Sequence, residues 1–178
     1  MLDAKVEERD AARRAAILKA ARECFLQFGY AKTSLDDIAK RANISRPLIY
    51  RKFKNKEDIF SAVLEHEFMS RYPEAEKVLA GSGSAREKLF RLYEILLLEP
   101  WSEMRKAPMA LEFYETCERL FPEVEAKQAR LLLKATQGIL ESKELSQVFM
   151  LAVEGLYSDV PTTSVLRRRL QLLVERFA

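Results

Sequence analysis

The stretch "TSLDDIAKRANISRPLIYRKF", residues 33–53, decides how this chain is read. Ser34, with Asp37 three residues on, makes a capping box in which Asp takes the place usually held by Glu. It opens a short helix whose inner face is Leu35, Ile38 and Ala39. Asn43 ends that helix, since asparagine tolerates the left-handed conformation second only to glycine. Ser45 is the cap of a second short helix, and Pro47 falls in its first turn, where a missing N–H costs little. Its first residue is Arg46 or Pro47, because a residue before proline resists the helical region. Two short helices joined by a tight turn at 42–45 are the helix-turn-helix layout.

The second helix has an unusual outer face. With Ile49 at the centre of the buried side and about 100° per residue, Phe53 falls beside it, and Pro47, Arg51 and Lys54 fall nearly opposite. Leu48 and Tyr50 lie on the flanks. A solvated helix rarely spends Pro, Leu and Tyr outward, whereas a helix in a DNA major groove has a use for each. The Tyr50 hydroxyl suits a phosphate oxygen, Arg51 a guanine edge or a phosphate, and Pro47 and Leu48 thymine methyls. Arg46, at the deep end of such a helix, is placed to read a base. Ser34 and Lys56 stand at two other helix starts, where backbone N–H groups favour phosphate, and Arg13 and Arg14 are candidates for backbone or minor-groove contact at the start of the first long helix.

Outward from this segment, nearly everything has the helical period, so the fold class expected is all-α. Ile17, Ala20, Ala21, Cys24, Phe25 and Phe28 form a stripe closed by Gly29 as C-cap. Asn55 caps a fourth helix with Ile59, Phe60, Val63 and Leu64 inward, expected to stop near Arg71 before Pro73. "AGSGSA" at 80–85 is a loop, a long helix starts near Pro122, and two more run over about 144–157 and 163–177. Residues 1–56 carry 14 Lys/Arg against 7 Asp/Glu, a net +7, while the remainder is net −4. A basic first part on an acidic remainder points to an anionic polymer as partner of the first part, although a membrane surface exerts the same pull.

Other classes find little support. With 48% hydrophobic and 32% charged residues, the chain can bury a core. It has neither an apolar run of membrane-spanning length nor a signal-peptide core, so no membrane partner and a cytoplasmic location are expected. Cys24 and Cys117 lack companion ligands and read as buried hydrophobes; no metal and no cofactor are expected. With one histidine, His66, and no Ser-His-acid set or phosphate loop, the chain does not read as an enzyme, and no catalytic residues are assigned.

"ILKAARECFLQFGY", "TSLDDIAKRANIS" and "LIYRKFKNKED", in this order and spacing, resemble the DNA-binding domain of the TetR family of bacterial transcriptional regulators. The resemblance spans residues 13–64. It implies a helix-turn-helix domain over 1–56 and a helical effector-binding and dimerisation domain over 57–178. It also implies DNA contacts at Ser34, Arg46, Pro47, Leu48, Tyr50, Arg51, Lys52 and Lys56. Two positions depart from the family pattern: Asn43 replaces the usual glycine of the turn, and Leu48 a small or hydroxyl residue.

The function so implied is a homodimeric regulator, a repressor, that binds a palindromic double-stranded DNA operator through the helix at 45–53 and is released by a small-molecule effector. The alternative is a DNA-bound regulator or scaffold whose C-terminal domain binds a protein. The helices at 144–157 and 163–177 have wide apolar faces fitting the family's four-helix dimer interface, and the Arg167–Arg169 run reads as a solvated face. "EPWSEMRKAPMALEFYETCERLF" at 99–121, with Tyr93, supplies candidate ligand residues: Tyr93, Trp101, Met104, Met109, Phe113 and Tyr114. Each of these aromatics reads equally well as core.

Overall fold

The computed structural model describes residues 2–178, with side chains from residue 7 onward. It is all-α among the described residues. The helices are α1 (Leu2–Phe28), α2 (Leu35–Arg41), α3 (Arg46–Lys52), α4 (Lys56–Ala80) and α5 (Ala85–Tyr93). A π-helical turn (Glu94–Leu98) leads into α6 (Glu99–Met104), and α7 (Ala110–Leu120), α8 (Pro122–Leu140), α9 (Lys143–Tyr157) and α10 (Thr163–Phe177) complete the chain. The π turn has a local cause. Glu99 N–H bonds the Glu94 carbonyl, a wide closure that makes room one residue before Pro100, whose ring would crowd a tight turn.

Compactness divides the chain into one unit running to Glu67 together with Ala107–Val124, and a second of Phe68–Lys106 and Glu125–Ala178. This differs from the division at 56/57 suggested by the sequence, and the reason is aromatic packing. Phe60, fully buried on α4, meets Phe25 at 4.9 Å, Tyr30 at 5.1 Å, Phe113 at 4.9 Å and Phe121 at 5.6 Å between ring centroids. The start of α4 and all of α7 therefore belong with α1. Two backbone-level ties reinforce this: Met109 N–H donates to the Leu26 carbonyl (3.0 Å), and Ala31 N–H to Glu112 Oε1 (3.2 Å).

The second unit has its own core, with Leu89, Leu92, Tyr93, Ile95, Leu98, Phe149, Leu166 and Leu170 almost wholly buried. Here α10 packs on α9 and α5.

Several boundary expectations need correction. Helix α1 starts at Leu2, so Arg13 and Arg14 lie within it rather than at its start. Helix α4 passes through Pro73 to Ala80. An interior proline costs about 3 kcal/mol, which a long run of good helix formers and the burial of Ala75 can absorb. Phe28 is 49% exposed despite lying on the inner stripe, since it lines an open cleft with Cys24 and Met109.

Candidate nucleic-acid interface

The seat of the interface is built from α1 to α3. Gly29 closes α1 with φ +85°, its N–H on the Phe25 carbonyl (2.9 Å), in the left-handed region where glycine carries no Cβ penalty. The buried Thr33 hydroxyl donates back to the Gly29 carbonyl at 2.7 Å. Helix α2 begins with the capping box expected: Ser34 Oγ accepts from Asp37 N–H (3.2 Å), and Asp37 Oδ2 accepts from Ser34 N–H (2.9 Å). The Ser34 hydroxyl and N–H together hold the Asp37 carboxyl below its ordinary range. Asn43 turns the chain with φ +51°, and Ile44 N–H reaches the Ala39 carbonyl at 3.0 Å.

Helix α3 begins at Arg46, with Ser45 as the N-cap residue. The Ser45 hydroxyl makes no capping bond, contrary to the reading from sequence. The second helical residue is Pro47, which has no N–H, and Leu48 N–H goes instead to the Ser45 carbonyl (3.0 Å). The inner face is as the periodicity predicts, with Ile49 at 0% and Phe53 at 2% exposure. The Arg14 guanidinium sits 5.1 Å from the centre of the Phe53 ring, which commits Arg14 to the seat of α3.

Outward stand Pro47, Tyr50 and Arg51, all exposed, with Leu48 half-buried beside them. Tyr50 is 55% exposed. The remaining expected contacts are already engaged within the protein. Arg46 pairs with Asp36, and Lys52 with Asp10, whose carboxyl that hydrogen bond holds below its usual range. Lys56 Nζ donates to the Tyr30 carbonyl (2.8 Å) and lies 4.4 Å from the centre of the Tyr30 ring. Asp36 escaped the reading from sequence. Its signal was an acidic residue facing Arg46 across a tight turn, hidden behind the more familiar role of acids in a first helical turn.

The six candidate ligand residues do not fall in one unit. Tyr93, Trp101 and Met104 belong to the second, and Met109, Phe113 and Tyr114 to the first. Tyr93 is fully buried, with its hydroxyl 2.9 Å from Thr136 Oγ1, and burial pushes its phenol well above the ordinary value. Trp101 is 6% exposed, and its indole N–H donates to the Pro161 carbonyl (3.1 Å). These two spend their polar atoms on their own core. Met109 lines an open cleft of about 710 Å³ with Cys24, Phe28, Lys32 and Lys40.

On α9 the exposed apolar residues are Leu145, Val148 and Leu151, and on α10 Val165 and Leu172. Leu173 and Phe177 are half-buried, with the Phe177 ring 5.1 Å from Phe149. Arg169 is held bidentately by Asp159 (2.6 and 2.8 Å) and Arg167 by Glu94 (2.5 Å), so two of the three arginines in that run are tied down.

A short helix carried on a tight turn, seated by two buried residues and presenting proline, tyrosine and arginine outward, defines a helix-turn-helix module of the DNA-binding class. Residues 17–63 match the family model for bacterial regulatory proteins of the tetR family. That segment of the chain is thus similar to the DNA-binding domain of TetR-family regulators. Among curated relatives, it is 34% identical over 91 residues to the HTH-type transcriptional regulator TtgR of Pseudomonas putida and 43% identical over 61 residues to the HTH-type transcriptional repressor ComR of Escherichia coli. The first match covers 48% of this chain and 43% of TtgR; the second covers 34% and 27%. These matches thus span less than half the length of either relative. A TetR-like transcriptional regulator from Rhodococcus sp. RHA1 superimposes over 93% of this chain and 95% of its own, with TM-score 0.67 and 28% identity. A TetR transcription regulator from Haloarcula marismortui does so over 94% and 97%, with TM-score 0.78 and 14% identity, a likeness of fold.

Proposed function

We propose that the protein is a homodimeric transcriptional regulator that acts as a repressor on an inverted-repeat operator, with α3 in the major groove. The observation that carries this is the two-sided character of α3. Ile49 and Phe53 are sealed inward, while Pro47, Tyr50 and Arg51 stand in solvent beside the half-buried Leu48. In the complex, Arg46 reads a base, Arg51 and Tyr50 contact backbone or base edges, and Pro47 and Leu48 pack against base methyls. Ser34, Lys52 and Lys56 border this surface, and their present partners make them supports of the interface as much as contacts. Ser45, free of a capping duty, adds a hydroxyl at the same edge.

Two recognition helices need a two-fold axis. The exposed Leu145, Val148 and Leu151 of α9, with Val165 and Leu172 of α10, are the face proposed to supply it. A small-molecule effector that prefers one arrangement of the dimer lowers operator affinity by its differential affinity for the two states.

Selection of bound duplexes from a random library tests the reading. It should return an inverted repeat with half-sites about 10 base pairs apart, or a multiple of that spacing. Enrichment of no sequence would refute it.

A further inference from the structure

The Asp36–Arg46 pair carries an inference that rests on the DNA-contact role proposed for α3. Arg46 is the first residue of α3, and its side chain remains 71% exposed while its Nη2 is held by an oxygen of Asp36 on α2. A guanidinium has five N–H donors spread along its edges, so one occupied nitrogen leaves an edge free for the two acceptors of a guanine. The other Asp36 oxygen, Oδ1, is buried and has no hydrogen-bond partner among the described residues. A carboxylate with one oxygen sealed from water depends on the ion pair made by the other, which ties Arg46 to this position. Asp37 next to it is committed to the capping box and does not compete for the guanidinium.

We infer that Asp36 is a specificity-determining positioning residue, which fixes one edge of the Arg46 guanidinium so that the other faces a base. An arginine on a free stem samples many rotamers and bonds phosphates as readily as bases. Anchored, it presents a rigid fork at one height in the groove. Asp36 also places a negative charge close to the phosphates, which weakens binding to every duplex alike. Its two effects therefore have opposite signs, since it improves discrimination and lowers sequence-independent affinity.

The test compares wild type, Asp36→Ala, Asp36→Asn, Arg46→Ala and the Asp36→Ala/Arg46→Ala double variant. Each is titrated against the duplex selected by wild type, that duplex with the Arg46-dependent base pair replaced, and a random-sequence duplex. Asp36→Ala should lower discrimination at that base pair about tenfold while tightening binding to the random duplex. Asp36→Asn, isosteric and still able to accept a hydrogen bond, should fall between it and wild type, and thermal melts followed by circular dichroism check that both variants are folded. In the Arg46→Ala background, Asp36→Ala should shift all three duplexes equally. Discrimination within about twofold of wild type in Asp36→Ala, or an equal loss of discrimination in the Arg46→Ala background, overturns the inference alone. A wild-type protein that prefers no duplex removes the DNA reading, and this inference with it.

Discussion

Arg51 and Lys56 are cations of the same surface with different surroundings, and salt dependence separates them. Arg51 is exposed on the outer face of α3, whereas Lys56 is half-buried, bonded to the Tyr30 carbonyl and set over the Tyr30 ring. Each phosphate neutralised contributes about 0.9 to the slope of log affinity against log salt, and the proposed dimer would carry two copies of each residue, so Arg51→Ala should flatten the slope by about 1.8. Between about 50 and 200 mM salt that slope amounts to roughly a twelvefold change in affinity that the variant no longer shows. Lys56→Ala should leave the slope nearly unchanged and instead cost about 1–2 kcal/mol of stability, from a charged hydrogen bond and a cation–π contact. In a unit of this size that is a fall of about 5–10 °C in melting temperature. Fluorescence anisotropy on a labelled operator across a salt series, with thermal melts of the same samples, measures both. If Lys56→Ala flattens the slope as much as Arg51→Ala, the Tyr30 loop is not where its charge is spent and the partition drawn here is wrong.

Four further outcomes are expected. Val148→Glu with Leu151→Glu should give a folded monomer by size exclusion with light scattering. Leu173→Glu with Phe177→Glu should lower the melting temperature instead, because Phe177 packs on Phe149. Ser34→Ala should cost about 1 kcal/mol as a lost N-cap and raise the Asp37 pKa toward 3.8, read by carboxyl NMR titration. The native Asp37 pKa is lowered, so its contribution to stability is present above about pH 4 and is lost as pH falls through the lowered value; the variant keeps the bond from the residue 34 N–H and should show a smaller acid-side loss. Gly29→Ala puts a Cβ at φ +85° and 2.3 Å from Glu112 Oε2, so it should destabilise by about 1–2 kcal/mol or more in denaturant melts. Adding Glu112→Ala should relieve the clash but not the backbone strain, and it also gives up the bond from Ala31 N–H.

The helical content and the two faces of α3 were legible in the sequence because both are matters of period. Ile49 and Phe53 are four apart and must share a side, whatever else the chain does. The capping box of α2 was legible for the same reason, since Ser34 and Asp37 find each other within one turn. What a linear reading missed depends on residues far apart in sequence. Lys52 meets Asp10 across 42 positions, and Lys56 meets the Tyr30 carbonyl across 26. The return of α7 to α1, through Met109 to Leu26 and Glu112 to Ala31, redraws the division of the chain, and no local pattern announces it. Tyr93 and Trp101 had the composition of a pocket, but each found its polar partner within the core. Ser45 failed as a cap for a reason that was present in the sequence: Pro47 had already removed one of the two donors it would have served.

The start of α3, with neither a side-chain cap nor an N–H at Pro47, leaves that helix fastened by Ile49 and Phe53 on its inner side and by the ion pairs of Arg46 and Lys52 at its two ends. Arg46 apart, stability and recognition are thereby written on separate letters of one short word. Positions 47, 48, 50 and 51 are open to randomisation in a library while Arg46, Ile49 and Phe53 stay fixed. Such a library should return folded proteins with new operator preferences at a frequency set by DNA recognition rather than by folding, which makes this helix a natural starting point for orthogonal regulators.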